Sequence, residues 1–180
     1  MLNSIRPPLY DEPSIQPMRD ELVAVGFKEL LTPEDVDKAL ETKDDKTTLV
    51  CINSVCGCAA GSARPGVSLA LQNESIPDNL YTVFAGQERD AVDKVRQWIK
   101  GEAPSSPSVA LFKNGELIYF MPRHQIEGRT AQQVAGLLSE VFDKLCTAAG
   151  PSISPEDFKK VLHAKACGAR IPRYHGNSNS

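Results

Sequence analysis

No stretch of this 180-residue chain is apolar for long enough to span a bilayer. The first residues, MLNSIRPPLYDEP, lack the apolar core that a secretory signal needs. There is no internal repeat. Neither sign of charge dominates: the net is −3, which gives no global pull toward nucleic acid or a membrane surface. The expected setting is the cytosol, where thiols stay reduced. A disulfide framework is also missing. The five cysteines, Cys51, Cys56, Cys58, Cys146 and Cys167, are an odd number on a chain large enough to build its own core. That usage favours reactive or ligand thiols over structural bridges.

What is present is an ordinary globular composition, 41% hydrophobic and 24% charged, of a length that suits one domain. The charge is uneven. After residue 146, five Lys and Arg face two acids, a net of +3, which leaves −6 for the rest. Three parts are expected: an irregular, proline-rich arm over 1–13, a folded domain over 14–146, and an extension over 147–180. The extension has a short helix opened by Ser154-Pro155-Glu156-Asp157 and then a disordered tail.

The domain reads as two helices followed by β-α-β-α-β-β-α. Ser14 is a candidate cap for the first helix, and Thr32-Pro33-Glu34-Asp35 starts the second. TTLVCIN (47–53) and YTVFA (81–85) are short β-branched runs of the kind found in buried strands. AAGSARPGVSLALQ (59–72) reads as a helix bent near Pro65, and residues 88–100 as an amphipathic one. SVALFKNGELIYFM (108–121) is a hairpin about Asn114-Gly115. Thr130 to Gln133 forms a capping box for a last apolar-faced helix. The expected fold class is α/β, a mixed sheet with helices on both faces. The helical crossovers are expected to make the strands they join parallel.

One stretch carries chemistry. In NSVCGCAAG (53–61), Cys56 and Cys58 stand one glycine apart where a strand ends and a helix begins. Free N–H groups and the helix dipole stabilise a thiolate at such a point, and the thiolate is the nucleophile of disulfide exchange. Cys58 is near enough to close a bridge, and Gly57 removes a side chain that would crowd so small a ring. Two other readings stand beside this one. A pair of core cysteines is poor material at a strand end. A zinc or iron–sulfur module would join Cys56 and Cys58 to Cys146, Cys167 or His163, but no second C-x2-C accompanies them. Redox chemistry is the stronger reading, with no metal and no bound cofactor.

Pro107 precedes a strand, where a residue without an N–H does least harm. The segment SPSVALFKNGE resembles the part of thioredoxins that carries a cis-proline facing the active-site cysteines. PMRDELVAVGFKEL (17–30), NSVCGCAAGSARP (53–65), TVFAGQERDA (82–91), APSSPS (103–108) and PRHQIEGR (122–129) together resemble the bacilliredoxin family. Members of that family are small cytosolic thioredoxin-like proteins with a CGC site. The likeness covers about residues 15–146. It implies a three-layer α/β/α sandwich and a thiol–disulfide oxidoreductase, with weak disulfide reductase or isomerase activity beside its main reaction. That reaction removes bacillithiol, or an analogous low-molecular-weight thiol, from mixed disulfides on client proteins. A disulfide reductase system is the implied third partner.

By the same likeness Cys56 attacks and Cys58 resolves, and Ser106–Pro107 is a cis bond packed against Cys56. Arg64 and Arg123 occupy basic positions near the motifs, suited to a substrate carboxylate or to a salt bridge. Cys146 matches a family cysteine with no assigned role. Cys51, within a strand, is expected to pack in the sheet. Cys167 and the basic cluster of Lys159, Lys160, Lys165, Arg170 and Arg173 lie beyond the likeness and are expected to be solvated.

Overall fold

Thr47–Asn53 is the axis of the molecule, and every residue in it is buried. The computed structural model describes residues 5–164 and 171–176. In chain order the elements are α1 (Glu12–Val23), β1 (Lys28–Glu29), α2 (Pro33–Leu40), β2 (Thr47–Asn53), a π-helical turn (Ala59–Ala63), α3 (Arg64–Ala70), β3 (Ser75–Ile76), β4 (Asn79–Phe84), α4 (Arg89–Trp98), β5 (Ser108–Lys113), β6 (Glu116–Met121), α5 (Arg123–Ile126), α6 (Ala131–Leu145), β7 (Ala148–Ala149) and α7 (Pro155–Phe158). Five strands form one sheet in the order β1-β4-β2-β5-β6.

The period-two alternation of a strand sends neighbouring residues of β2 to opposite faces. Leu49 and Cys51 join Leu22, Val67, Val134, Leu138 and Phe142, from α1, α3 and α6, in one core. Val50 and Ile52 join Val36, Leu40, Val92 and Val95, from α2 and α4, in the other. The result is the mixed-sheet α/β/α sandwich, with a helical layer on each face.

The strand directions correct one expectation. β2 and β4 are parallel, as their helical crossover requires, with Asn53 beside Phe84. β5 nevertheless runs antiparallel to β2, with Ser108 beside Ile52. α4 descends along the sheet, and its Trp98 reaches the far end, 3.6 Å from where a Cβ on Gly115 would stand. Residues 99–107 then climb back to the end where β4 finished. A crossover makes strands parallel only when the return leg is the helix alone. Here a long coil follows the helix and undoes the reversal.

Other local corrections have equally local causes. Asp11, not Ser14, caps α1, accepting from the Ser14 N–H at 3.2 Å and the Ser14 hydroxyl at 2.6 Å. The bend expected at Pro65 appears as the π turn before it, where the Arg64 N–H reaches back five residues to the Ala59 carbonyl. In the hairpin, Asn114 and Gly115 take φ of 53° and 76°, the left-handed pair a tight turn needs.

The extension departs most from the reading of a solvated tail. β7 pairs with β3. Ser152 donates its N–H to the Leu71 carbonyl and its hydroxyl to the Val25 carbonyl, at 2.9 and 2.7 Å. Further on, Arg173 bridges to Tyr10 of the arm and stacks on its ring. Ile171 is buried with Ile15, Met18, Val55 and Phe84. These partners are more than 70 residues away in sequence, so local composition carries no trace of them. Cys167, Lys165 and Arg170 lie outside the described residues.

Candidate active site

β2 ends at Asn53, and the chain turns through residues 54–56 into a helix that is already formed at Gly57 and Cys58. The Cys56 carbonyl accepts from the N–H groups of Ala59 and Ala60 at 3.1 and 3.2 Å. Cys56 therefore stands in the capping place of that helix. The Ala59 N–H also points at its sulfur, 3.4 Å away. Ser54 turns its hydroxyl oxygen to the Cys56 N–H at 3.2 Å. The two sulfurs, both free thiols, are 2.7 Å apart.

This packing divides the pair electrostatically. Burial alone would push the Cys56 thiol up. Hydrogen bonds from Cys58, Ser54 and the Ala59 backbone, with the positive charge of Arg123, outweigh it and hold Cys56 below the ordinary thiol value. Cys58 goes the other way, to about 11: burial raises it first, then the hydrogen bond to Cys56 and the negative charge there. Arg123 opposes that rise and Glu127 adds to it. The first proton to leave the pair is therefore that of Cys56, and the thiolate so formed accepts a hydrogen bond from the Cys58 thiol, a pair that titrates as one unit.

The returning coil delivers the second wall. The Ser106–Pro107 bond is cis, and Pro107 is buried. Register sets Ser108 beside Ile52, so Pro107 lies at the same end of the sheet as Cys56. The Ser105 hydroxyl accepts from the Arg123 N–H at 2.7 Å, and the Ser105 carbonyl accepts from the Ser108 hydroxyl at 2.9 Å. The coil is thereby tied to the start of α5. Arg123 itself is largely exposed and held charged by the nearby thiols, first Cys58, then Cys56. A groove of about 260 Å³ opens beside it, between Ala103, Pro104 and Ser105 on one side and His124 and Glu127 on the other.

Two sequence expectations change here. Arg64 is fully buried, so it takes no substrate carboxylate. Its guanidinium binds Glu21 at 2.8 Å, the Asn53 side chain at 3.1 Å and the Ser54 carbonyl at 2.8 Å, which shapes the turn before Cys56 from below. Beyond its chain neighbours Cys56 and Cys58, a Cβ on Gly57 would meet nothing within 4 Å, so any crowding there would fall on the two cysteines alone. The proposed metal ligands are dispersed. Cys146 neighbours Thr47 and Asp78, at the opposite end of β2, roughly 20 Å of strand from Asn53. His163 is bound to Glu21, and Cys167 lies outside the described residues. Among the described residues no cluster of three His, Cys, Asp or Glu side chains could hold a metal ion. Ser54 and Glu21 were missed in the sequence. A lone serine two residues before a cysteine, and a glutamate within an amphipathic helix, carry no signal of their own.

No helix among the described residues is long and apolar enough to cross a membrane. Residues 10–146 match the model of a family described as disulphide isomerase. A bacilliredoxin of Halalkalibacterium halodurans is 49% identical over 137 residues, 76% of this chain and 94% of its own length. A bacilliredoxin of Cytophaga hutchinsonii is 47% identical over 137 residues, 76% of this chain and all of its own. Among solved structures, oxidized mitochondrial thioredoxin 3 of Saccharomyces cerevisiae superposes with a TM-score of 0.45 at 15% identity, over 68% of this chain and 98% of its own. The chain belongs to the bacilliredoxin family of thiol–disulfide oxidoreductases.

Proposed function

We propose that Cys56 is the attacking nucleophile and Cys58 the resolving thiol in the reduction of mixed disulfides between client proteins and a low-molecular-weight thiol, bacillithiol or an analogue. The observation that carries this reading is the divided pair: sulfurs 2.7 Å apart, one thiol lowered and the other raised to about 11. In the first step the Cys56 thiolate attacks the sulfur of the small thiol. A Cys56–small-thiol disulfide forms, the client's S–S bond breaks, and the client leaves as a thiolate. As negative charge leaves Cys56, Cys58 loses what held its proton, and it becomes the better nucleophile of the two. Attack by Cys58 then closes the Cys56–Cys58 bridge and releases the small thiol. A disulfide reductase system returns two electrons to the bridge.

The electrons travel in the bridge itself, so the reaction needs no bound cofactor. Arg123 supplies an exposed cation suited to a carboxylate of the small thiol. Pro107 and Ser106 form the wall against which the mixed disulfide lies. Reductase or isomerase action on protein disulfides begins with the same attack, which the description of the matching family supports. The cytosol is the compartment where such a reduced dithiol is maintained.

The experiment is a trap. Incubated with a thiolated client, the Cys58→Ala protein should accumulate the small thiol on Cys56, read as a mass increment on the peptide that carries it. Cys56→Ala should take up none and release none. Full turnover by Cys56→Ala would sink the assignment.

A further inference from the structure

Arg64 and Glu21 form an ion pair with both side chains wholly buried. Such a pair is costly unless every remaining donor and acceptor finds a partner. Within the domain, Arg64 satisfies itself on Glu21, Asn53 and Ser54. The last partners come from the extension. The Ala164 carbonyl accepts from Arg64 Nη2 at 3.1 Å, and the Ala164 N–H donates to Glu21 Oε2 at 3.1 Å. His163 Nδ1 meets the other oxygen, Oε1, at 2.5 Å. The family match ends at Cys146, so both residues lie outside the part of the chain shared with its relatives.

The contacts run on to the backbone of the reacting cysteine. Ser54 is held at both backbone ends: its carbonyl accepts from Arg64, and its N–H donates to Asn53 Oδ1 at 2.8 Å. Asn53 is itself pinned by donating to the Met18 carbonyl. What is left of Ser54 is its hydroxyl, whose oxygen accepts from the Cys56 N–H at 3.2 Å and whose own proton is not spent on that bond. A second, separate contact points the same way: Ile171 and Ala164 pack against the cluster containing Val55, the residue before Cys56.

We propose that the C-terminal strap is a positioning element of the dithiol site, in which His163 and Ala164 fix the buried Glu21–Arg64 pair and the pair fixes Ser54 against Cys56. This rests on Cys56 being the nucleophile. Its part is to hold one hydroxyl beside Cys56, in agreement with the lowering of that thiol by Ser54. The other groups that act on the Cys56–Cys58 pair are the Ala59 N–H, Arg123 at the start of α5 and Glu127 just past its end, and the contacts of His163 and Ala164 fall on none of them.

The test uses the reduced 180-residue protein and iodoacetamide, with alkylation of Cys56 followed peptide by peptide across a pH series. His163 is part-exposed, so His163→Ala leaves the buried pair in place while removing one of its anchors. It should slow Cys56 alkylation at neutral pH by roughly 2- to 5-fold and move the midpoint of the profile toward that of an ordinary thiol. His163→Asn, whose amide N–H stands where Nδ1 does, should restore the profile. Ser54→Ala should reproduce the His163→Ala shift without contact to the strap. If His163→Ala lowers the melting temperature while its Cys56 profile superposes on that of the parent, the strap is a stabiliser only and the proposal is wrong. If Cys56 of the unsubstituted protein alkylates no faster than Cys58, the nucleophile assignment falls and takes the positioning role with it.

Discussion

Cys56 and Cys146 each stand at an end of a helix, at opposite ends of β2. Cys56 opens the helix after that strand, and the Ala59 N–H points at its sulfur. Cys146 closes α6, where its own N–H is spent on the Phe142 carbonyl. Burial raises both thiols. At Cys56 the donors and Arg123 reverse that rise, whereas at Cys146 a contact with Thr47 opposes it, the charge of Asp78 reinforces it, and the thiol stays high. Cys51, between them, has burial as its main influence and is pushed up to about 12. The same side chain thus takes opposite characters, depending on whether hydrogen-bond donors and a cation meet the sulfur or burial prevails.

The comparison breaks most easily under competitive labelling of the reduced protein. Cys56 should be labelled at least about 100-fold faster than Cys146 near neutral pH. The sign follows from the shifts. A lowered thiol gains thiolate as pH climbs through a value below the usual ~8.5, while Cys58 waits until about 11 and Cys51 until about 12. Comparable rates for Cys56 and Cys146 would show that helix placement does not govern reactivity here.

A second difference between the two ends is charge. The site end hides a complete ion pair and, among the described residues, the far end does not. Arg64→Leu would leave Glu21 buried with its strongest partner removed, at a cost of roughly 3–5 kcal/mol. Asp78→Asn, beside Cys146, retains an oxygen that can accept from Thr47 and should cost less than about 1 kcal/mol. Urea denaturation of both variants tests the contrast. Equal losses would mean that the buried pair has no special place in the fold.

Sequence reading and structure agree where the information is local. β2, the Asn114-Gly115 turn, the Thr32 and Thr130 capping boxes and the CGC junction each announce themselves within a few residues. They diverge where partners are distant. The reversed direction of β5 depends on a coil whose path no periodicity encodes. Arg64 looks like a surface cation until Glu21, Asn53 and Ala164 surround it, from 43 residues before to 100 after. The polar tail looks solvated until Ile171 finds Val55. Two-residue strands such as β1, β3 and β7 are too short for any alternation to register.

The smallest expected effect concerns the residue between the thiols. Gly66 and Gly57 lie on the same helical stretch, but a Cβ on Gly66 would stand 2.7 Å from Val134, at the α3–α6 contact, while one on Gly57 would stand in open space. Gly57 also has no positive φ to preserve. Gly57→Ala should therefore fold normally and gain about 0.5–1 kcal/mol from the lower freedom of its unfolded chain. Its Cys56 alkylation rate should match the parent's, because none of the groups that lower that thiol is disturbed. The glycine instead leaves clear the approach to the two sulfurs, so the penalty belongs in KM for a bulky thiolated client and not in kcat. A drop in Cys56 alkylation would place the role of Gly57 in the chemistry of the pair. A rise in KM alone would place it in access.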